Sequence, residues 1–397
     1  MTTTINNEHK KLNVPNLRFP EFQGEWEKCK LGDACNVFMC KRILASQTNT
    51  EGGVPFYKIG TIGGTPDAYI SKELFDDYKA KYNYPHKGEV MITCAGTVGK
   101  CVIYDGKDAY YQDSNIVWID NPYQHISNDF LYHLLANVDW RKLNSTTIIR
   151  IYNDDLRNLK LSYPQIEEQK KISHLLSLFD ERIATQNKII EDLKKLKSAI
   201  IEKHYCQAEK QIACVADLGE PFSVGNLAKD DLTETGMPCV IYGELFTTYG
   251  ETISQIESHT YKTEGMILSK KGDLLFPSST TVDAMSLIAP SVINMDGVIL
   301  GGDMFGIHIS PNFNAQYLSY YFNHIAKRQL AKFAKGSTII HLHYADIEKA
   351  KLLLPSLEEQ NRMAKCLISL DAKINVENII FSLLNNQKTS LLRQMFI

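Results

Sequence analysis

Four short patterns in this chain carry residue types that perform chemistry or hold ligands elsewhere. Pro66-Asp67 followed by Asp77-Tyr78-Lys79 sets two carboxylates near a lysine, the groups with which a nuclease holds Mg²⁺. Such spacings are common and the second half of the chain has no equivalent, so this pattern reads as surface charge. Asn121-Pro122-Tyr123 has three residues of the adenine-methyltransferase signature Asn-Pro-Pro-Tyr, but it lacks the second proline and no Phe-x-Gly-x-Gly cofactor loop precedes it. It reads as a turn. Gly96-x-x-Gly99-Lys100 is too short to cradle a phosphate, and Cys101 stands where a P-loop needs the Ser or Thr that ligates Mg²⁺. His341 and His343 are two apart, which on a strand puts both on one face. A metal needs more ligands, and none is evident, so these read as a surface pair.

The elements that position these residues are repeated. Aligning Pro164 with Pro355 sets an offset of 191, and at that offset the match continues without gaps. Thr147-Ile148-Ile149 falls on Thr338-Ile339-Ile340, Asp155 on Asp346, and Lys160-Leu161 on Lys351-Leu352. Glu167-Glu168-Gln169 falls on Glu358-Glu359-Gln360, Asp180 on Asp371 and Lys197 on Lys388. Upstream the halves agree only in pattern. Val54-Pro55 corresponds to Met237-Pro238, Lys87-Gly88-Glu89-Val90-Met91 to Lys271-Gly272-Asp273-Leu274-Leu275, and Leu31-Gly32-Asp33 to Leu218-Gly219-Glu220. Each half therefore reads as a variable globular domain followed by a more constant helix.

Ile172, Leu176, Phe179, Ile183, Ile190, Leu193 and Ile200 fall at a 4-3 spacing, which is a heptad seam. Met363, Leu367, Leu370, Ile374, Phe381, Leu384 and Leu391 repeat it. Pro164 precedes the first helix, where its missing N–H costs nothing, and Glu167 and Glu168 suit the positive end of the helix. Gln186 and Lys197 are polar seam positions, and so are their counterparts Glu377 and Lys388. Polar seam residues lower stability but fix register and partner. The two helices are expected to pair antiparallel, since each must return to the start of the other domain. About 40 residues make roughly 60 Å of helix.

The globular parts mix short apolar runs with Gly and Pro turns and read as α+β. Strands are expected at Val90–Cys94, Cys101–Tyr104 and Ile116–Ile119, and short helices at Asp129–Asn137 and Tyr317–Asn323. Hydrophobic residues make up 44% of the chain and charged residues 22%, ordinary values for a globular protein. No apolar run is long enough to span a membrane. The polar start Met1-Thr2-Thr3-Thr4 offers no secretory h-region, and the nine scattered cysteines contain no Cys-x-x-Cys pair, which fits free thiols in a reducing cytoplasm. A net charge of −3 is poor for gripping nucleic acid by charge alone. Basic residues concentrated on one face, or a partner, must then supply the phosphate contacts.

The order Trp26…Leu31-Gly32-Asp33, Lys87-Gly88-Glu89-Val90-Met91-Ile92, Gly96-Thr97-Val98-Gly99-Lys100 and Pro164-x-x-Glu167-Glu168-Gln169-Lys170-Lys171-Ile172, followed by a second round, resembles the specificity subunits of bacterial type I restriction-modification enzymes. The resemblance covers nearly the whole chain, and the twice-used Pro-x-x-Glu-Glu-Gln helix start is its most specific element. The second domain departs from it, with Pro277-Ser278-Ser279-Thr280-Thr281-Val282 where the first has the Gly-Thr-Val-Gly-Lys loop. The resemblance implies an α+β chain of two tandem target-recognition domains, 1–164 and 207–354. Two long helices, 165–206 and 355–397, would join them as an antiparallel coiled coil with pseudo-two-fold symmetry.

It further implies that each domain reads one half of a split double-stranded DNA target while the helices set the gap. Two modification subunits, with S-adenosylmethionine, and restriction-translocase subunits, with ATP and Mg²⁺, would then do the chemistry, and this chain would bind no cofactor or metal. A glycine loop lets backbone approach DNA, and neighbouring Thr and Lys reach phosphates or guanine edges. The candidate contacts are Lys41, Arg42, Lys58, Thr61, Thr97 and Lys100 in the first domain. Those in the second are Tyr242, Ser278, Ser279, Thr280 and Thr281. Arg150 and its counterpart His341 join them. The alternatives are a self-contained restriction endonuclease or methyltransferase, and a coiled-coil adaptor that never touches DNA.

Overall fold

The computed structural model describes residues 12–143 and 150–397. The matched segment Thr147-Ile148-Ile149 therefore lies outside the described residues. By its internal contacts the chain divides into two units, residues 1–186 with 380–397 and residues 187–379.

In the first unit a four-stranded antiparallel sheet runs in the order Asn36–Phe38, Ile116–Asp120, Val90–Thr93, Cys101–Ile103. Beside it lies a three-stranded sheet in which Val54–Tyr57 pairs antiparallel with Tyr69–Ile70 and parallel with Tyr110–Tyr111. In the second unit Gly219–Ser223, Met304–Ile309, Asp273–Pro277 and Ser291–Ile293 repeat the order of the first sheet, and Thr252–Ile253 is added at its edge. Ser258–Thr260, Met237–Ile241 and Ile299–Gly301 repeat the second sheet, again with one antiparallel and one parallel pairing. The sequence expectations for three strands and two short helices hold to within two residues, with helices at Asn128–Ala136 and Ala315–His324.

The matched motifs prove to be local devices. Glu89 Oε2 accepts from His86 N at 2.8 Å, and Asp273 Oδ2 from Lys270 N at 2.8 Å, so the carboxylate of each Lys-Gly-acid motif caps the turn into a central strand. Asp155 and Asp346 accept from the backbone N of Tyr152 and His343 in the same way. One correspondence needs correction. Glu27–Lys30 pairs with Lys160–Tyr163, and Gln211–Cys214 with Lys351–Leu354. After these strands Asp33 caps Lys30 N and Asp217 caps Cys214 N. Leu31-Gly32-Asp33 thus corresponds to Val215-Ala216-Asp217, not to Leu218-Gly219-Glu220. The capping carboxylate is what the geometry requires, and a Leu-Gly pair is too short a signal to set register.

Two long helices follow the domains, Ile166–Gln207 and Leu357–Met395. Their burial follows the heptad seam, with Ile172, Leu176, Gln186, Ile190 and Lys197 buried on one helix and Met363, Leu367, Ile374 and Glu377 on the other. In the first unit Ile172, Leu176 and Met395 share one core, and Lys388 bonds Asp180. In the second unit Ile201 packs in one core with Met363, Ala364 and Leu367, and Lys197 bonds Asp371 at 2.7 Å. In both units one residue number rises as its partner's falls, so the helix segments pair antiparallel. The reciprocal pairs Asp180–Lys388 and Lys197–Asp371 join positions that the 191-residue offset had matched. Among the described residues no helix is long and apolar enough to cross a membrane.

The Pro-x-x-Glu-Glu-Gln motif anchors each helix to its own domain. Gln169 is buried, its amide nitrogen donating to the carbonyls of His125 and Pro164 at 2.8 Å each and its oxygen accepting from Ser127 N at 2.7 Å. Gln360 repeats this with Pro355 O at 2.9 Å and Asn314 N at 3.0 Å. Ser127 and Asn314 are the N-caps of the two short helices, so one glutamine ties two helix starts together.

Candidate nucleic-acid interface

In the first domain the Gly96–Lys100 turn depends on its two glycines. Gly96 and Gly99 have φ of +66° and +83°, and a Cβ on them would lie 2.7 Å from Ile59 Cδ1 and 2.2 Å from Trp140 Cδ1. The Thr93 hydroxyl donates to Thr97 O and accepts from Lys100 N at 3.0 Å, which closes the turn and leaves Thr97 exposed. Lys100 Nζ donates to Ile62 O at 2.5 Å, joining this turn to the one where Thr61 Oγ1 accepts from Lys58 N at 3.0 Å. Lys58 is itself paired with Asp67 at 3.2 Å.

Two backbone bonds at Cys94 bring in further segments, since Cys94 N donates to Asn115 O and Ile151 N to Cys94 O, both at 2.8 Å. The Arg150 guanidinium donates to Ser114 O and lies 5.9 Å from the centre of the Tyr152 ring. Lys58, Thr61, Thr97, Lys100 and Arg150 are thus gathered on adjoining turns. Lys41 and Arg42 are exposed on a separate segment, where Lys41 sits over the Tyr82 ring at 5.3 Å.

The second domain builds the same frame without the glycines. Ser278 N donates to Asp303 O at 2.8 Å and Leu342 N to Ser278 O at 2.9 Å, the two bonds made by Cys94 in the first domain. Ser279–Thr280 then pairs with Ile340–His341, with Ser279 opposite His341. Ser278 and Ser279 are 3% and 8% exposed, so their backbone holds the frame while Thr280 and Thr281 reach solvent. Tyr242, Ser279, Thr280 and Thr281 line one cleft of about 760 Å³ together with Lys327 and Ile339.

Sequence reasoning passed over Tyr152 and read His343 only as half of a surface pair. Both are exposed and occupy matching positions at the 191-residue offset. Tyr152 lies beside Arg150, and the His343 ring stacks on His341 at 6.2 Å and 15°. A ring two residues after each candidate contact was the available signal.

The catalytic patterns are taken up structurally. Asn121 is buried, donating to Ile126 O at 2.5 Å and Asn128 Oδ1 at 2.9 Å and accepting from Gln124 N at 3.2 Å, so it holds a turn. Asp67 pairs with Lys58, while Asp77 pairs with Lys81 at 2.5 Å. Burial pushes the thiols of Cys94 and Cys101, which flank the glycine turn, up to about 12, far from a thiolate nucleophile.

The fold and these paired loop clusters define a protein of two tandem domains of one plan, each followed by a helix of a shared coiled coil. The family model for the type I restriction modification DNA specificity domain matches the chain twice, over residues 23–195 and 211–385. The chain belongs to that family, the sequence-reading specificity subunits of type I restriction-modification systems. It is 51% identical over 151 residues to a putative type I restriction enzyme specificity subunit of Haemophilus influenzae, a match spanning 38% of this chain and 39% of that protein. It is 22% identical over 393 residues to the putative MjaX specificity subunit of Methanocaldococcus jannaschii, covering 93% of this chain and 92% of that one. In fold it is similar to the crystal structure of the S subunit from M. genitalium, with a TM-score of 0.62 at 16% identity over 97% of this chain and 99% of that one.

Proposed function

We propose that each globular domain reads one half of a bipartite double-stranded DNA target, that the helices set the distance between the halves, and that two modification subunits dock along them. The observation that carries this reading is the shared frame at Cys94 and Ser278, which places a cluster of variable, accessible side chains at the same position in both domains. Variable side chains on a common frame are what reading two different base sequences requires. Leu178, Ile189 and Leu196 on the first long helix, and Ile368, Val376 and Ile379 on the second, are exposed apolar residues outside the buried seam, which supports partner docking there. The chain performs no chemistry itself in this reading. S-adenosylmethionine, ATP and Mg²⁺ belong to the modification and restriction-translocase subunits. With a net charge of −3, this chain relies on those partners for much of the phosphate grip.

Exchanging residues 1–164 for those of another family member should change one half of the methylated target, read by mapping methylation in the host genome. A change in both halves, or in neither, refutes the division of labour. Inserting matched heptads after Leu193 and Ile374 should lengthen the helices by about 10 Å and widen the gap by about three base pairs, with both half-sites intact. An unchanged gap in the methylated target rules out the spacing role.

A further inference from the structure

The two reading clusters share a frame but differ in chemistry. The first presents the cationic side chains of Lys58, Lys100 and Arg150. In the second, the chain leaving the Ser279–Thr280 strand presents Thr280, Thr281 and Val282, and the paired segment brings Ile339 to the same cleft. Val282 is 73% exposed and Ile339 49%, while Asp283 next to Val282 is occupied in capping the following helix turn through Ser286 N at 2.6 Å. An apolar side chain placed where bases are read has one complementary feature on a base edge in the major groove, the 5-methyl group of thymine. Hydrogen-bonding edges of the other bases would lose water to Val and Ile without gaining a partner.

We infer that the second domain recognises its half-site through thymine 5-methyl groups, with Val282 and Ile339 as the contacting side chains and the Thr280 and Thr281 methyls beside them. This rests on the reading of each domain as a half-site reader. Each methyl contact removed weakens binding about fourfold, so two together give more than tenfold.

The test uses the chain assembled with its modification subunits, selecting from two pools of random duplexes, one built with thymine and one with uracil. The thymine pool should return two spaced half-sites. The uracil pool should return one of them, with enrichment of the other reduced at least tenfold. The V282N/I339N double variant, selecting from the thymine pool, should lose that same half-site and keep the first, which also shows that it is folded. Identical half-sites from both pools, or a double variant that loses the other half-site, overturns the inference while leaving bipartite reading intact. A thymine pool that yields no paired half-sites overturns the bipartite reading itself.

Discussion

Replacing Lys197 with methionine should destabilise the second unit by about 3–5 kcal/mol, whereas the matched change at Lys388 in the first unit should cost about 1 kcal/mol. The two lysines are one residue of the repeat, so the difference comes from their surroundings. The Lys197 side chain is 9% exposed and bonds Asp371 at 2.7 Å and Glu251 at 3.1 Å. Its ammonium also lies 4.8 Å from the centre of the Tyr320 ring, whose hydroxyl donates to Asp371 at 2.5 Å. His324 bonds Glu251 at 2.9 Å. Methionine fills similar volume but leaves two part-buried carboxylates facing each other. Lys388 and Asp180 are 20% and 38% exposed, so water takes over when that pair is broken. Urea titration with hydrogen exchange resolved by segment would measure both variants. Equal costs would refute the assignment.

Acid should narrow the gap between wild type and Lys197→Met. Burial pushes Glu251 up, but the hydrogen bond from His324 and the charge and bond of Lys197 outweigh it and bring the carboxyl down to about 2. A carboxyl held below its unfolded value near 4.5 contributes stability that is present above that value and lost as pH falls through the folded one. The narrowing should therefore occur between about pH 5 and pH 2. A constant difference over that range would mean that Glu251 is not the charge left uncompensated.

The second large effect is expected at Gln169. Gln169→Leu should cost about 2–4 kcal/mol, because it leaves Pro164 O buried, and Ser127 N and His125 O part-buried, without their partner. Gln169→Glu should not restore stability. It keeps an acceptor for Ser127 N but sets a carboxylate against two carbonyl oxygens. Gln360→Leu should show the same loss in the second unit, slightly smaller, since its side chain bonds Asn314 N and Pro355 O. Thermal denaturation of the three variants checks this, and a neutral Gln169→Leu would show that the motif is kept for another reason.

These two residues mark how far the sequence could be read. The gapless offset displayed Gln169, Asp180, Lys197 and their counterparts as matched positions, and the heptad spacing placed Lys197 on the buried seam. It did not show that Asp180 bonds the lysine of the opposite helix. That pairing depends on how two antiparallel segments align. Glu251, which makes the second site so different from the first, comes from a loop of the variable domain with no signal in the repeat. The Leu31-Gly32-Asp33 correspondence failed for a related reason. The capping role of Asp33 is local, and only strand pairing shows that Asp217 plays it in the second half.

The sequence by itself determined the two-domain repeat, the long helices and their buried face, because each rests on periodicity or on contacts between near neighbours. Only the tertiary structure decided which loops share the candidate reading surface. It set Lys100 on the Ile62 turn, Arg150 beside Ser114 and Ile339 in a cleft with Val282, and it placed Ser278 and Ser279 inside. Those neighbours are tens of residues apart along the chain. They meet through backbone pairing at Cys94 and Ser278, a contact made by main-chain atoms whatever the side chain, which therefore leaves little trace in residue identity.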